Sequence, residues 1–106
     1  MLTVKRHRLV RADLQSAYDW YQTKQPGLGA DFIEDFRRGY QRLRQFSSLY
    51  SVRFANVRRL NLERFPYGRF YIVNPQEIRV LALLHASRDT GPLLAARRQT
   101  FAVEAS

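Results

Sequence analysis

Arg69-Phe70-Tyr71-Ile72-Val73, Asn74-Pro75-Gln76-Glu77 and Ile78-Arg79-Val80-Leu81-Ala82-Leu83-Leu84-His85 follow one another without a gap, and these residues decide the fold. The first segment is rich in aromatic and β-branched side chains, which favour a pleated strand. The second combines Asn and Pro between two apolar runs, the signature of a turn closing a hairpin. The third is almost continuously apolar, as expected of a central strand covered on both faces. Upstream, Arg59-Leu60-Asn61-Leu62-Glu63 alternates leucine with polar residues, a half-buried strand. Phe65-Pro66-Tyr67-Gly68 joins it to the hairpin as a turn or bulge. Residues 59–85 therefore read as a three-strand meander.

Before Ser47-Ser48 the period is that of a helix. Val10, Leu14, Ala17, Tyr18 and Tyr21 recur at spacings of three and four. Gln25-Pro26-Gly27-Leu28-Gly29 breaks the pattern, because Pro26 disfavours helical geometry in the residue before it. Leu28, Phe32, Phe36, Tyr40 and Leu43 then line a second helical stripe, bordered by Ile33. A short link makes the two helices an antiparallel hairpin. Its aromatic stripe, Trp20 and Tyr21 included, is read as packing seam. Leu2 to His7 alternates as a short strand. Beyond Thr90-Gly91-Pro92, residues Leu93 to Arg98 form one helical turn or two. The fold class is thus α+β, in the order β-α-α-β-β-β, a helical hairpin on a small, mostly antiparallel sheet with a short C-terminal helix. Residues 1–106 form a single domain whose tail after about residue 99 is frayed. The expected core is Leu14, Tyr18, Phe32, Phe36, Tyr40, Leu43, Leu60, Leu62, Tyr71, Val80, Ala82 and Leu84.

Composition narrows the function. Apolar residues at 45% and charged residues at 25% suit a globular domain rather than a disordered one. The lack of cysteine excludes disulfides, thiol catalysis and cysteine-ligated zinc. His7 and His85 alone do not make a zinc site, and no phosphate-cradling glycine loop or Gly-x-Ser-x-Gly elbow is present, so neither metal nor cofactor is expected. With no secretory h-region and no membrane-length apolar run, a cytoplasmic location off the membrane is expected.

The net charge is +9, and of 18 basic side chains only Lys5 and Lys24 are lysine. Arginine binds phosphate and carboxylate through a planar fork, so an anionic partner is implied. The charge is concentrated: Arg37, Arg38, Arg42, Arg44, Arg53, Arg58, Arg59, Arg64 and Arg69 face one acid, Glu63, within residues 37–69. Arg37, Arg38, Arg42, Arg44, Arg58, Arg59, Arg64 and Arg69 are the candidate target-binding or nucleic-acid-binding residues. The acid pairs Asp31/Asp35 and Asp31/Glu34 are explained by the dipole at a helix start.

One catalytic constellation remains. Strand parity puts Arg79, Leu81, Leu83 and His85 on one face, with Arg88 and Asp89 just beyond. An arginine stabilises a scissile phosphate and a histidine exchanges its proton near neutral pH, which makes Arg88 and His85 candidates for a ribonuclease. The bland alternative is a fold-closing role for both. His85 and Ser87 are expected about 6.5–7 Å apart, too far for a nucleophile–base bond unless the backbone bends.

The order of Ala17-Tyr18-Asp19-Trp20-Tyr21, Pro26-Gly27-Leu28-Gly29 with Phe32, Arg59-Leu60, Arg64-Phe65-Pro66-Tyr67, Tyr71 and Val80 through Asp89 resembles the RelE/ParE superfamily of toxins from type II toxin–antitoxin, or plasmid stabilisation, systems. The resemblance implies a curved sheet flanked by a helical hairpin and a cognate acidic antitoxin that silences a growth-inhibiting toxin, as a homodimer or a toxin–antitoxin hetero-oligomer. It also implies one of two targets. The RelE-like branch cuts messenger RNA on the ribosome; the ParE-like branch poisons DNA gyrase and is not an enzyme. RelE-like ribonucleases carry an arginine just after the tyrosine of the turn, where this chain has Gly68, with Arg69 shifted by one. They also use a late tyrosine or similar proton donor, and no tyrosine follows Tyr71. Arg88 does match a ribonuclease arginine. His85-x-x-Arg88-Asp89 is closer to the ParE-like branch, which is the expected one, with the endoribonuclease and an inactive, antitoxin-binding orphan as alternatives.

Overall fold

The computed structural model describes residues 2–105. Its elements run β1 (Thr3–Arg6), α1 (Val10–Lys24), α2 (Leu28–Phe46), β2 (Val52–Phe54), β3 (Val57–Asn61), β4 (Tyr67–Val73), β5 (Glu77–His85) and α3 (Gly91–Ala105). The strands form one sheet in the order β1-β5-β4-β3-β2. β1 lies parallel to β5, and the remaining pairs are antiparallel. The α+β class and the β-α-α-β-β-β order are present, with two additions. The three-residue β2, exposed along its length, had no periodicity to reveal it. The C-terminal helix is longer than one or two turns, and it buries Leu94 and Phe101 in one cluster with Val57, Phe70, Leu81, Ala82 and Leu84. The helix extends past residue 99 to Ala105, and residue 106 of the expected frayed tail lies outside the described residues.

The sheet is covered on both faces, which explains the unbroken apolar run of β5. The helix pair covers one face with Val10, Ala17, Phe32, Phe36 and Leu43 against Leu60, Leu62, Tyr71, Val80 and Leu83. α3 covers the other. Between Phe70/Tyr71 and their partners the register shifts by one: Phe70 pairs with Ala82, but Tyr71 pairs with Val80. Leu81 is thus the extra residue of a β-bulge, and a bulge reverses the facing of everything beyond it. The expected common face of Arg79, Leu81, Leu83 and His85 is corrected accordingly. Arg79 and Leu81 face α3, with the Arg79 guanidinium 5.7 Å from the Phe101 ring, whereas Leu83 and His85 face the helix pair.

Nine of the twelve expected core residues are buried; Leu14 and Tyr18 are half-buried. Tyr40 and Trp20 are corrections. Tyr40 is 38% exposed and Trp20 56% exposed, with Lys24 Nζ 4.0 Å above the Trp20 ring. Tyr21, by contrast, stacks on Phe32 at 5.5 Å and packs edge-on against Phe65 at 4.7 Å, so that part of the aromatic seam is core. Buried Tyr71 donates its hydroxyl to the Ser47 carbonyl at 2.7 Å, and burial pushes its pKa up to about 12.

The helix hairpin is drawn tight at Gly29. A Cβ there would lie 2.8 Å from both the Tyr18 ring and the Tyr18 carbonyl oxygen. A ring can turn aside, but a backbone carbonyl inside a helix cannot. Gly29→Ala is therefore expected to push α1 and α2 apart and to destabilise the fold by about 1–3 kcal/mol, the usual range for overpacking. A lower midpoint of urea denaturation with an unchanged slope checks it, and an unchanged midpoint contradicts it.

Candidate functional site

Two places could engage a target. The first is the end of β5, where the strand bends into a turn. Tyr67 and His85 are register partners on β4 and β5, and their rings meet edge-on at 5.2 Å. The turn brings Ser87 back, so that His85 Nδ1 lies 2.8 Å from Ser87 Oγ and accepts the Ser87 backbone N–H at 3.1 Å. The expected separation of His85 and Ser87 is thus corrected: the backbone does bend. Because Nδ1 accepts the backbone N–H, the proton of the neutral ring sits on Nε2. With exposed Arg88, His85 and Tyr67 border a cavity of about 150 Å³ reaching Asp13 and Ser16. Burial raises the Tyr67 pKa.

The second place is a groove of about 940 Å³ between the end of β1 and the helix pair. Its apolar floor comes from Val4, Leu14, Ile33, Phe36, Leu43 and Val80. Arg6, Arg8, Arg11, Arg37 and Arg69 line it, and among the described residues no Asp or Glu does. The chain brings these arginines together because parallel pairing sets Arg6 beside Val80, and His7 N–H then donates to the Val80 carbonyl as the chain turns into α1.

The eight expected binding arginines do not share one surface. On α2, Arg37 and Arg44 point one way and Arg38 and Arg42 roughly 100–140° away, by the rotation of 100° per residue. Arg37 lines the groove, and Arg44 stands 5.7 Å from the Tyr40 ring. Arg38 is 3.9 Å from Glu34, Arg42 3.5 Å from Glu63, and Arg64 3.9 Å from Asp31. Neighbours on β3, Arg58 and Arg59 point to opposite faces. Arg58 donates to the Tyr50 carbonyl at 2.6 Å. Arg59 donates to Asn61 Oδ1 at 2.5 Å and lies 5.2 Å over the Phe70 ring; its pKa is lowered by burial and then by Arg53. A Cβ at Gly68 would meet the Arg59 Nε at 2.5 Å, so the Arg59 side chain lies across that glycine. Arg69 stands apart from the other seven. It is 1% exposed, held over the Phe36 ring at 4.1 Å and bonded to the Phe36 carbonyl, so it meets the groove only from deep in its wall.

The profile of the ParE toxin of type II toxin–antitoxin systems, parDE, matches residues 4–90. The chain belongs to the ParE toxin family. A solved structure of the chromosomal ParDE toxin–antitoxin system from P. aeruginosa is similar in fold, with a TM-score of 0.74 and 26% identity over 82% of this chain and 98% of that one. No curated protein matches the chain significantly.

As a member of the ParE family, the chain is the toxin component of a type II toxin–antitoxin system. Among the described residues no cluster of His, Asp or Glu is arranged to hold a metal, and no helix is long and apolar enough to cross a membrane. The groove arginines Arg6, Arg8 and Arg11 were absent from the sequence-derived site. Their only signal was the basic run Lys5-Arg6-His7-Arg8 followed by Arg11, which shows no partner until β1 is placed beside β5.

Proposed function

We propose that this ParE-family chain arrests growth in the cytoplasm by binding and poisoning DNA gyrase, without catalysis of its own, and that a cognate acidic antitoxin silences it by occupying the arginine-lined groove. The position of Arg69 carries the reading. The arginine that follows the turn is sunk between the sheet and α2, where a phosphodiester flanked by its sugars does not reach it. Gly68, beside it, offers no side chain, and Arg59 above it is tied to Asn61. The antitoxin half rests on complementarity: an apolar floor ringed by arginines suits an amphipathic segment carrying carboxylates.

A ribonuclease reading draws on one observation, that His85, Tyr67 and Arg88 border a single small cavity. The two readings part on Arg88→Ala and His85→Ala. A gyrase poison should keep its toxicity within about threefold of wild type in the His85 variant, since no proton transfer depends on it. A ribonuclease should lose roughly 10²–10³ in rate on Arg88→Ala, the usual effect of removing one donor to a transition-state oxyanion. Transcript ends mapped by primer extension, beside a gyrase cleavage assay in the same cells, decide between them. Trapped, cleaved gyrase complexes with intact messages are expected. Cut messages with unaffected gyrase would overturn the reading.

A further inference from the structure

Arg69 presents a problem that the rest of the chain does not solve. The residue is 1% exposed, yet among the described residues no carboxylate pairs with its guanidinium. One terminal nitrogen, Nη2, donates to the Phe36 carbonyl, while Nη1 is buried without a hydrogen-bond partner. Nη1 rests against Gly39, where a Cβ would come within 2.7 Å of it. The same missing Cβ would lie 3.5 Å from Arg42 Nη2, a second buried nitrogen without a partner. Two cationic donors thus converge on one glycine with no anion between them. Burial first, then the nearby charges of Arg42 and Arg6, lower the Arg69 pKa to about 10, which still leaves it charged at neutral pH. Asp35 is near enough to favour the charge, but its oxygens accept backbone N–H groups of residues 63–65. A buried charge with an open donor is costly, and native structures keep one where something binds it.

Arg69 is also part of the groove wall, alongside four arginines that are exposed. We propose that Arg69 is the receptor for one carboxylate side chain of the antitoxin segment, inserted through the groove toward Nη1. This rests on the reading that the antitoxin occupies the groove. The geometry favours a carboxylate on a flexible apolar stem over a nucleic-acid phosphate. The stem would run over Leu14, Ile33 and Phe36, and only a group as slim as a side chain reaches a cation at this depth. A carboxylate can also accept from two nitrogens at once, matching the paired donors of Arg69 and Arg42.

Binding of the antitoxin encoded beside the toxin gene, measured by calorimetry in a double-mutant cycle, tests this. Arg69→Met is expected to weaken binding roughly 10²-fold, with Arg69→Lys in between, because truncating one partner of a buried charge pair leaves the other unpaired. Each acid of the antitoxin segment is then neutralised to its amide against wild-type toxin. One of them should weaken binding by a similar factor and add nothing further against Arg69→Met. Misfolding of the Arg69 variants cannot mimic this, since the antitoxin substitutions are read on unaltered toxin. Ile33→Glu and Leu14→Glu test the groove itself. If these abolish binding while no antitoxin acid matters to wild-type toxin, the Arg69 proposal fails and the groove reading stands. If they leave affinity intact, the groove reading falls and the proposal with it. If Arg69→Met spares the antitoxin but weakens an oligoribonucleotide, the anion is a phosphate and the proposal is wrong.

Discussion

Asp35→Ala is expected to lower stability by about 3–5 kcal/mol, or roughly 15–30 °C in Tm for a domain of this size, with loss of native fold at growth temperature in the worst case. Asp35 is fully buried on α2, and its two oxygens accept three backbone N–H groups: Glu63 at 3.2 Å, Arg64 at 2.8 Å and Phe65 at 3.1 Å. These amides belong to the segment between β3 and β4, which cannot make ladder bonds while it bends. The carboxylate does the work of a strand partner there, and it sets Phe65 against Tyr21 and Phe32. Alanine leaves three donors without an acceptor in a packed site. Asparagine keeps one acceptor oxygen and should lose about half as much. Thermal melts of the three proteins, followed by circular dichroism, check the ranking wild type, asparagine, alanine. A Tm for Asp35→Ala within a few degrees of wild type would mean that water reaches those amides and that the segment is not pinned.

Asp35 also marks a boundary of what could be read from sequence. Its place one turn from Asp31 fits an unremarkable matching of the helix dipole, and for exposed Asp31 that account suffices. Nothing local separates the two, because the donors that distinguish Asp35 lie 28–30 residues away. The same rule runs through the molecule. Helical stripes such as Phe32, Phe36 and Leu43 were legible since periodicity is a local property. The bulge at Leu81 was not, because a strand buried on both faces looks apolar at either parity. Tyr40 follows the stripe yet faces an open groove, whose far wall is a strand placed by parallel pairing. His85 and Ser87 meet only through the turn that ends β5. Arginine is the sharpest case: Arg38, paired on the surface, and Arg69, sunk under α2, are the same letter in one charged stretch. Net charge indicated an anionic partner, but only burial and open donors single out the arginine that would read it.

The second large effect is expected at the opposite edge of β5. β1 accompanies β5 only as far as Val80, and beyond that, among the described residues, no strand pairs with it on that side. An uncovered edge inside a fold leaves polar backbone groups to be satisfied by other means. Here a side-chain pair stands in for the missing strand. Asp13 of α1 accepts the Leu83 N–H at 3.0 Å, and Arg97 of α3 donates to the Leu81 carbonyl at 3.1 Å. The two close on each other in a fork, at 2.5 and 3.0 Å, with both side chains about 10% exposed. The pair thereby joins the layers on both faces of the sheet at the bulge. Removing either partner buries the other charge alone, so Asp13→Leu and Arg97→Met should each cost about 3–5 kcal/mol. The double variant should be less damaging than the sum of the two, since no lone charge remains. It should still fall about 1–3 kcal/mol short of wild type, because the Leu83 N–H and Leu81 carbonyl have lost their partners. Urea denaturation of the four proteins gives the coupling energy, and hydrogen exchange at the Leu83 amide reports the edge directly. Strict additivity would show the pair to be a surface contact, while full recovery in the double variant would show that the edge needs no covering.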